Sequence, residues 1–304
     1  MDVESGASAE WSDGAPAPRA AATHGGALRA RVVSAVIFLP ILIVVVRLGG
    51  LAFVGLVGLM VLLGLVEFYG MLQSKGERPY RLTGIVAGLA LVWYAHVREG
   101  IHANLLLTAV LLGVMVVELF RRDNRGALHN IAGTVFGVFY VAWLGSHLVF
   151  LQGLPLLAQN GAGASGPTAQ GLVYFLFLIV WGCDTGAYAV GTLCGRHRLL
   201  PRVSPKKSVE GAIGGLVVGA LLGALATFGF ARFLDPWFGA LLGLALAAAG
   251  QVGDMVESLL KRDTARKDSA VTMAIPGHGG VLDRFDSVLF AAPVFYYILK
   301  AIYL

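Results

Sequence analysis

The chain has 304 residues, of which 57% are hydrophobic and only 13% charged, with a mean hydropathy of +0.76. A soluble domain averages about 25% charged residues, so composition excludes a soluble globular protein and predicts an all-α polytopic integral membrane protein. A net charge of +5 and a pI near 9.3 do not point to nucleic acid, because the basic residues follow membrane topology.

Residues before about Ala27 are rich in Ala, Gly, Ser and Pro and carry Asp2, Glu4, Glu10 and Asp13. That composition predicts a disordered tail over 1–26. It lacks the basic start and apolar stretch of a signal peptide. Residues 27–304 then read as one membrane domain.

Nine apolar segments follow: Val32–Val46, Gly50–Leu72, Leu82–Val97, Ile101–Phe120, Ile131–Gly153, Gly171–Val190, Gly211–Ala231, Trp237–Val252 and Phe285–Tyr303. The first and third are short and end close to tight connections. With the N-terminus in the cytoplasm, the inner regions hold 19 of the 23 Lys and Arg residues. Only Arg47, Arg98, Arg232 and Lys300 fall outside. This alternating bias predicts nine crossings with the C-terminus outside, and it puts two polar loops, around 184–211 and 253–286, in the cytoplasm. The uncharged stretch Leu154–Gln170 reads as an outer linker. Glycines inside the spans, such as Gly55, Gly58, Gly64, Gly215, Gly219 and Gly223, suit close helix packing. They also leave room for a homodimer. Cys183 and Cys194 are too few for a disulfide framework and read as packing residues.

The chemistry concentrates in the second polar loop. Six of the 18 acidic residues lie there: Asp254, Glu257, Asp263, Asp268, Asp283 and Asp286. Carboxylates near lipid are costly and signal function. Asp254, Glu257, Ser258 and Lys261 fall at i, i+3, i+4 and i+7, so a helix continued to Arg262 puts them on one face. Such a face can gather carboxylates and a hydroxyl about a divalent cation, or can simply carry i,i+4 pairs such as Glu257 with Lys261. Pro276-Gly277-His278-Gly279-Gly280 reads as a turn whose backbone N–H groups suit phosphate oxygens. Asp283 and Asp286 follow where the last span begins and are placed to complete a metal site with Asp254. His278 is a candidate phosphate ligand or proton carrier.

The first polar loop holds Asp184, Tyr188 and Gly191 at i, i+4 and i+7, then Ser204-Pro205-Lys206-Lys207-Ser208 and Glu210. The Ser-Pro-Lys-Lys-Ser run reads as a cationic turn, suited either to a nucleotide or lipid phosphate or to anionic lipid beside the membrane.

These residues together resemble the phosphatidate cytidylyltransferase family, the CDP-diacylglycerol synthases. The family signature is matched in order by Ser258, Lys261, Arg262, Lys267, Asp268, Pro276, His278, Gly279, Gly280, Asp283, Arg284 and Asp286. Gly253-Asp254 and Glu257-Ser258 also match. An earlier family pattern is matched by Asp184, Ala187, Tyr188, Gly191, Ser204, Pro205, Lys207, Ser208, Glu210 and Gly211, and Glu67-Phe68-Tyr69 is similar too. The spacer between Asp268 and Pro276 is longer than the family's usual one.

The resemblance implies a Mg²⁺-dependent transfer of CMP from CTP to phosphatidic acid, giving CDP-diacylglycerol and pyrophosphate, at a bacterial inner membrane. It implies that Asp254, Asp283 and Glu257 belong to a paired metal site holding Mg²⁺, and leaves open a monovalent cation as the second member. Lys261, Asp286 and His278 are then further catalytic candidates. Lys207, Ser208, Ser258, Arg262, Lys267, Arg284, Gly279, Gly280, Asp184 and Tyr188 are candidates for binding CTP or lipid phosphate. Two other readings stand beside it: a cytidylyltransferase acting on a different lipid phosphate, and a transporter. Against the transporter, the charged groups gather at helix ends rather than mid-span.

Overall fold

The structure is a computed structural model that describes residues 39–97, 102–122, 125–154, 167–232, 234–264 and 280–303. The N-terminal tail, most of the Leu154–Gln170 linker, Arg266, Lys267, Asp268 and the turn Pro276–Gly279 with His278 lie outside the described residues.

The described chain is helical apart from one small hairpin. Its elements are α1 (Leu39–Leu48), α2 (Gly50–Ser74), α3 (Arg81–Val97), α4 (His102–Leu119), α5 (Ala127–Gly137), a π-helical segment π1 (Val138–Trp143), α6 (Leu144–Gln152) and α7 (Pro167–Cys194). The strands β1 (Arg198–Leu200) and β2 (Ser204–Ser208) pair antiparallel, and α8 (Val209–Phe228), α9 (Pro236–Asp263) and α10 (Leu282–Tyr303) follow.

Six helical stretches are long and apolar enough to cross a membrane: α2, the continuous run Ala127–Gln152, α7, α8, α9 and α10. The protein is an integral membrane protein. The remaining apolar helices, α1, α3 and α4, are shorter. They fall at the first, third and fourth expected segments. The break between α1 and α2 is a single tight corner, with Gly49 and Gly50 both at positive φ, a conformation that costs glycine little because it has no Cβ.

Helix α9 explains how polar chemistry is held at a membrane protein's edge. Asp235 caps its start by accepting from the Trp237 N–H, with Pro236 in the first turn. Its 28 residues extend about 42 Å, more than a hydrocarbon core of about 30 Å. The surplus falls within the polar stretch from Gln251 to Asp263.

Backbone-close packing fixes α9 against its neighbours. Gly211, Gly215, Gly219 and Gly223 recur every fourth residue on α8 and are all buried. A methyl at Gly219 or Gly223 would run into the backbone of Gly243 or Gly239 on α9. Small residues at this spacing let two helices touch along their main chains, which is how helices associate where lipid removes the hydrophobic driving force. Gln251 completes the joint, donating to the Ala212 carbonyl of α8 at 2.9 Å and to Cys183 Sγ of α7 at 3.3 Å. Cys183 is thus a packing residue, as expected. Cys194 is exposed at the end of α7, because the chain leaves the bundle there.

Candidate active site

The carboxylates anticipated from sequence gather at one end of the bundle, where α9 ends and α10 begins. Helix α9 continues to Asp263, so Asp254, Glu257, Ser258 and Lys261 do share a face. Glu257 is completely buried and ion-paired with Lys261. Lys261 reaches across to α10, its Nζ 3.0 Å from Asp283 Oδ1. Asp283 Oδ2 accepts from the Gly280 N–H at 3.1 Å. One lysine therefore bridges carboxylates of two helices, and Asp283 is anchored at both oxygens. Asp286, one turn on, is 7% exposed and accepts from the Ser287 N–H at 2.6 Å. Ser258 is half-buried on α9 and Arg284 is exposed on α10.

The first polar loop of the sequence joins this cluster from the side. The Ser-Pro-Lys-Lys-Ser run is strand β2 rather than a turn, and the turn lies before it, at 201–203. Pro205 is tolerated because a two-stranded hairpin is all edge. The hairpin docks on α9 twice. Lys207 is ion-paired with Asp254, each side chain about a third exposed (30% and 31%), and Arg262 Nε donates to the Val203 carbonyl at 3.3 Å. At its other end Glu210 gathers the N–H groups of Arg196 and His197 and the His197 ring, with His197 Nδ1 at 2.6 Å. Asp184, exposed on α7, lies within electrostatic reach of Asp254, Asp286 and Lys207. Tyr188 is 75% exposed, one turn further along α7. Ser208 is buried as the cap of α8, its Oγ accepting from the Gly211 N–H at 3.1 Å.

Glu67 is the residue whose role sequence reasoning missed. It is 2% exposed on α2, and its two carboxylate oxygens accept from the Val281 and Leu282 N–H groups, both at 2.8 Å. The first N–H groups of a helix have no partner within it, and a negative charge there also favours the helix dipole. With Asp283 holding Gly280, the start of α10 is fixed from both sides. The signal was available: Glu67 is the one acidic residue of α2, and an ionisable group in an apolar span calls for a partner.

The same end of α2 is tied down twice more. Lys75 Nζ lies 2.6 Å from Asp263 of α9, which holds the exposed ammonium above the ordinary lysine range. Asn130 Oδ1 and Thr134 Oγ1 of α5 accept from the Arg78 and Tyr80 N–H groups of the α2–α3 connection, at 2.9 and 2.8 Å.

Beneath the carboxylates lies Tyr140 of π1, 4% exposed. Its ring stacks on Phe136 at 5.6 Å and meets Phe68 and Phe290 edge-on at 6.0 and 6.3 Å.

Chemically this is an oxygen-donor site with fixed cations set among the carboxylates. Among the described residues no three His, Cys, Asp or Glu side chains are grouped as a ready metal cage.

The description of the Cytidylyltransferase family matches residues 29–302. The chain is 34% identical over 288 residues to a phosphatidate cytidylyltransferase of Synechocystis sp., covering 88% of this chain and 94% of that protein. It is 31% identical over 279 residues to one of Staphylococcus haemolyticus, covering 88% and 97%. It is 32% identical over 267 residues to one of Staphylococcus aureus, covering 86% and 94%. With the match running nearly end to end, the chain belongs to the cytidylyltransferase family and is a CTP-utilising nucleotidyltransferase.

Proposed function

We propose that this protein is a phosphatidate cytidylyltransferase of the bacterial inner membrane, transferring CMP from CTP to phosphatidic acid. The observation that carries the reading is the pairing of Asp254 with Lys207 and of Asp283 with Lys261 at the end of the membrane spans. A phosphoryl reaction between two anions needs cations where charge develops. A lipid acceptor needs those cations at the edge of the hydrocarbon layer. The names of the relatives support the same substrates.

Counted with α1, α3 and α4, the spans give nine crossings, with the N-terminus in the cytoplasm and the C-terminus outside. The positive-inside bias supports that orientation and puts the carboxylate end in the cytoplasm, where CTP is available.

Mg²⁺ suits the donor set. It is commonly held by one or two carboxylates, with waters and substrate phosphates completing the shell, so two anchored aspartates suffice. Asp254 and Asp283 would hold it, with Glu257 behind them. The lysine ammonium against each aspartate marks a position that favours a cation. When bound, Mg²⁺ would neutralise charge on the phosphates and polarise the α-phosphorus of CTP.

The chain's own groups do the rest. Lys207 and Lys261 offset phosphate charge once substrates arrive, joined by Arg262 and Arg284 at the rim. Glu67 and Gly280 hold Asp283 in register by fixing the start of α10. The lipid phosphate oxygen attacks the α-phosphorus, the bond to the β-phosphate oxygen breaks, and pyrophosphate leaves. The attacking oxygen is already ionised, so no strong general base is required. The deciding experiment is product analysis: CDP-diacylglycerol and pyrophosphate should form from CTP only with phosphatidic acid present. Preference for another lipid phosphate would change the acceptor, and inactivity on every lipid phosphate would overturn the reading.

A further inference from the structure

Tyr140 carries a polar atom that neither the fold nor the chemistry above uses. Among the described residues, no group hydrogen-bonds to its buried hydroxyl. An unpartnered buried hydroxyl is unfavourable, and a lipid-bounded interior has no bulk water to supply the bond. The residue sits in π1, a six-residue break in an otherwise α-helical span. Such π turns are rare and frequent at functional sites. The three aromatic rings around Tyr140 leave its ring little freedom, so the hydroxyl is held rather than accommodated.

Its direction follows from the helix. Side chains lean toward a helix's N-terminus, and α5 begins at the carboxylate end of the bundle. Asp254, Glu257, Asp283 and Asp286 all lie within electrostatic reach of the hydroxyl. Phe290, which the ring touches, is one turn deeper along α10 than Asp286. Tyr140 therefore forms the floor of the site on its hydrocarbon side. A nucleotide arrives from water, at the opposite side. The group that descends to this floor is the head of the lipid acceptor.

We propose that Tyr140 Oη is a substrate-binding donor that hydrogen-bonds an anionic phosphate oxygen of the lipid. This rests on the reading of the site as a lipid-phosphate cytidylyltransferase.

The test is Tyr140→Phe in the full-length protein, with phosphatidic acid and CTP varied separately. The substitution removes one oxygen and keeps the ring packing. The expected result is a fall of roughly tenfold or more in kcat/KM for phosphatidic acid, the scale of a lost hydrogen bond to a charged group, with KM for CTP unchanged. The substrate-free variant should melt at the wild-type temperature or above, because an unpartnered buried hydroxyl has been removed. Wild-type kcat/KM for the lipid would overturn the inference. So would an effect on CTP instead, or a lowered melting temperature, which would mark the hydroxyl as structural. Wild-type protein inactive on every lipid phosphate would bring down the proposed function, and this inference with it.

Discussion

Lys207 of the β hairpin is ion-paired with Asp254 of α9, so this carboxylate joins the two polar loops of the chain. On the proposed reading, Asp254 is the point where Mg²⁺ and Lys207 would compete. Replacing Asp254 with Asn should lower turnover on the order of 100-fold or more, the scale for loss of a group that acts on developing charge. Because the pair is partly solvated, folding stability should change by no more than about 1 kcal/mol. Product formation and thermal unfolding of the same preparation check both halves. A wild-type rate in Asp254→Asn would remove this residue from the metal assignment.

Glu67→Gln keeps one acceptor oxygen for the start of α10 and turns the other into a donor facing an N–H. The expected loss of stability is about 1–3 kcal/mol, the range for an unsatisfied buried polar group, with a fall in activity as Asp283 shifts. Thermal unfolding in detergent measures the first, and turnover the second. An unchanged melting temperature would show that α10 starts correctly without both oxygens.

Gly223→Val tests the α8–α9 contact. The added side chain meets the backbone of Gly239, which cannot rotate away, so overpacking should destabilise by about 1–3 kcal/mol or more. Activity should fall with the fraction folded rather than through a change in KM. The unfolding midpoint and KM for CTP, measured together, separate these effects.

Lys75→Ala should do little, although Lys75 and Asp263 are only 2.6 Å apart. Both are exposed, and exposed ion pairs contribute little because water screens them. Turnover within about twofold of wild type is expected. A large loss would mean that this pair holds the end of α9 in place.

The face formed by Asp254, Glu257 and Lys261 was legible because helical periodicity continues unbroken where the apolar run stops. The carboxylates at the start of α10 were legible for the same reason. The six long spans were legible from length and apolarity alone, whereas α1, α3 and α4 are shorter apolar helices. What local pattern cannot carry is contact between distant segments. Nothing in Ser-Pro-Lys-Lys-Ser says that Lys207 meets Asp254. The run read as a turn because Pro and Ser favour turns, whereas docking on α9 draws it out as a strand. Glu67 stood out as a costly charge, but its partners lie more than 200 positions away. Ser208 shows the converse: a hydroxyl expected at substrate phosphate is engaged in capping α8. The π1 segment has no sequence mark, so nothing in the sequence sets Tyr140 apart from the other aromatic residues.

The measurement that bears most directly on the central claim is turnover of CTP by the purified protein in detergent micelles, with phosphatidic acid present or absent and with Mg²⁺ or EDTA. CDP-diacylglycerol and pyrophosphate should appear in equal amounts, only with lipid and Mg²⁺ together. Product formed at full rate in EDTA would contradict the metal assignment, and a folded protein that consumes no CTP with any lipid phosphate would contradict the function itself.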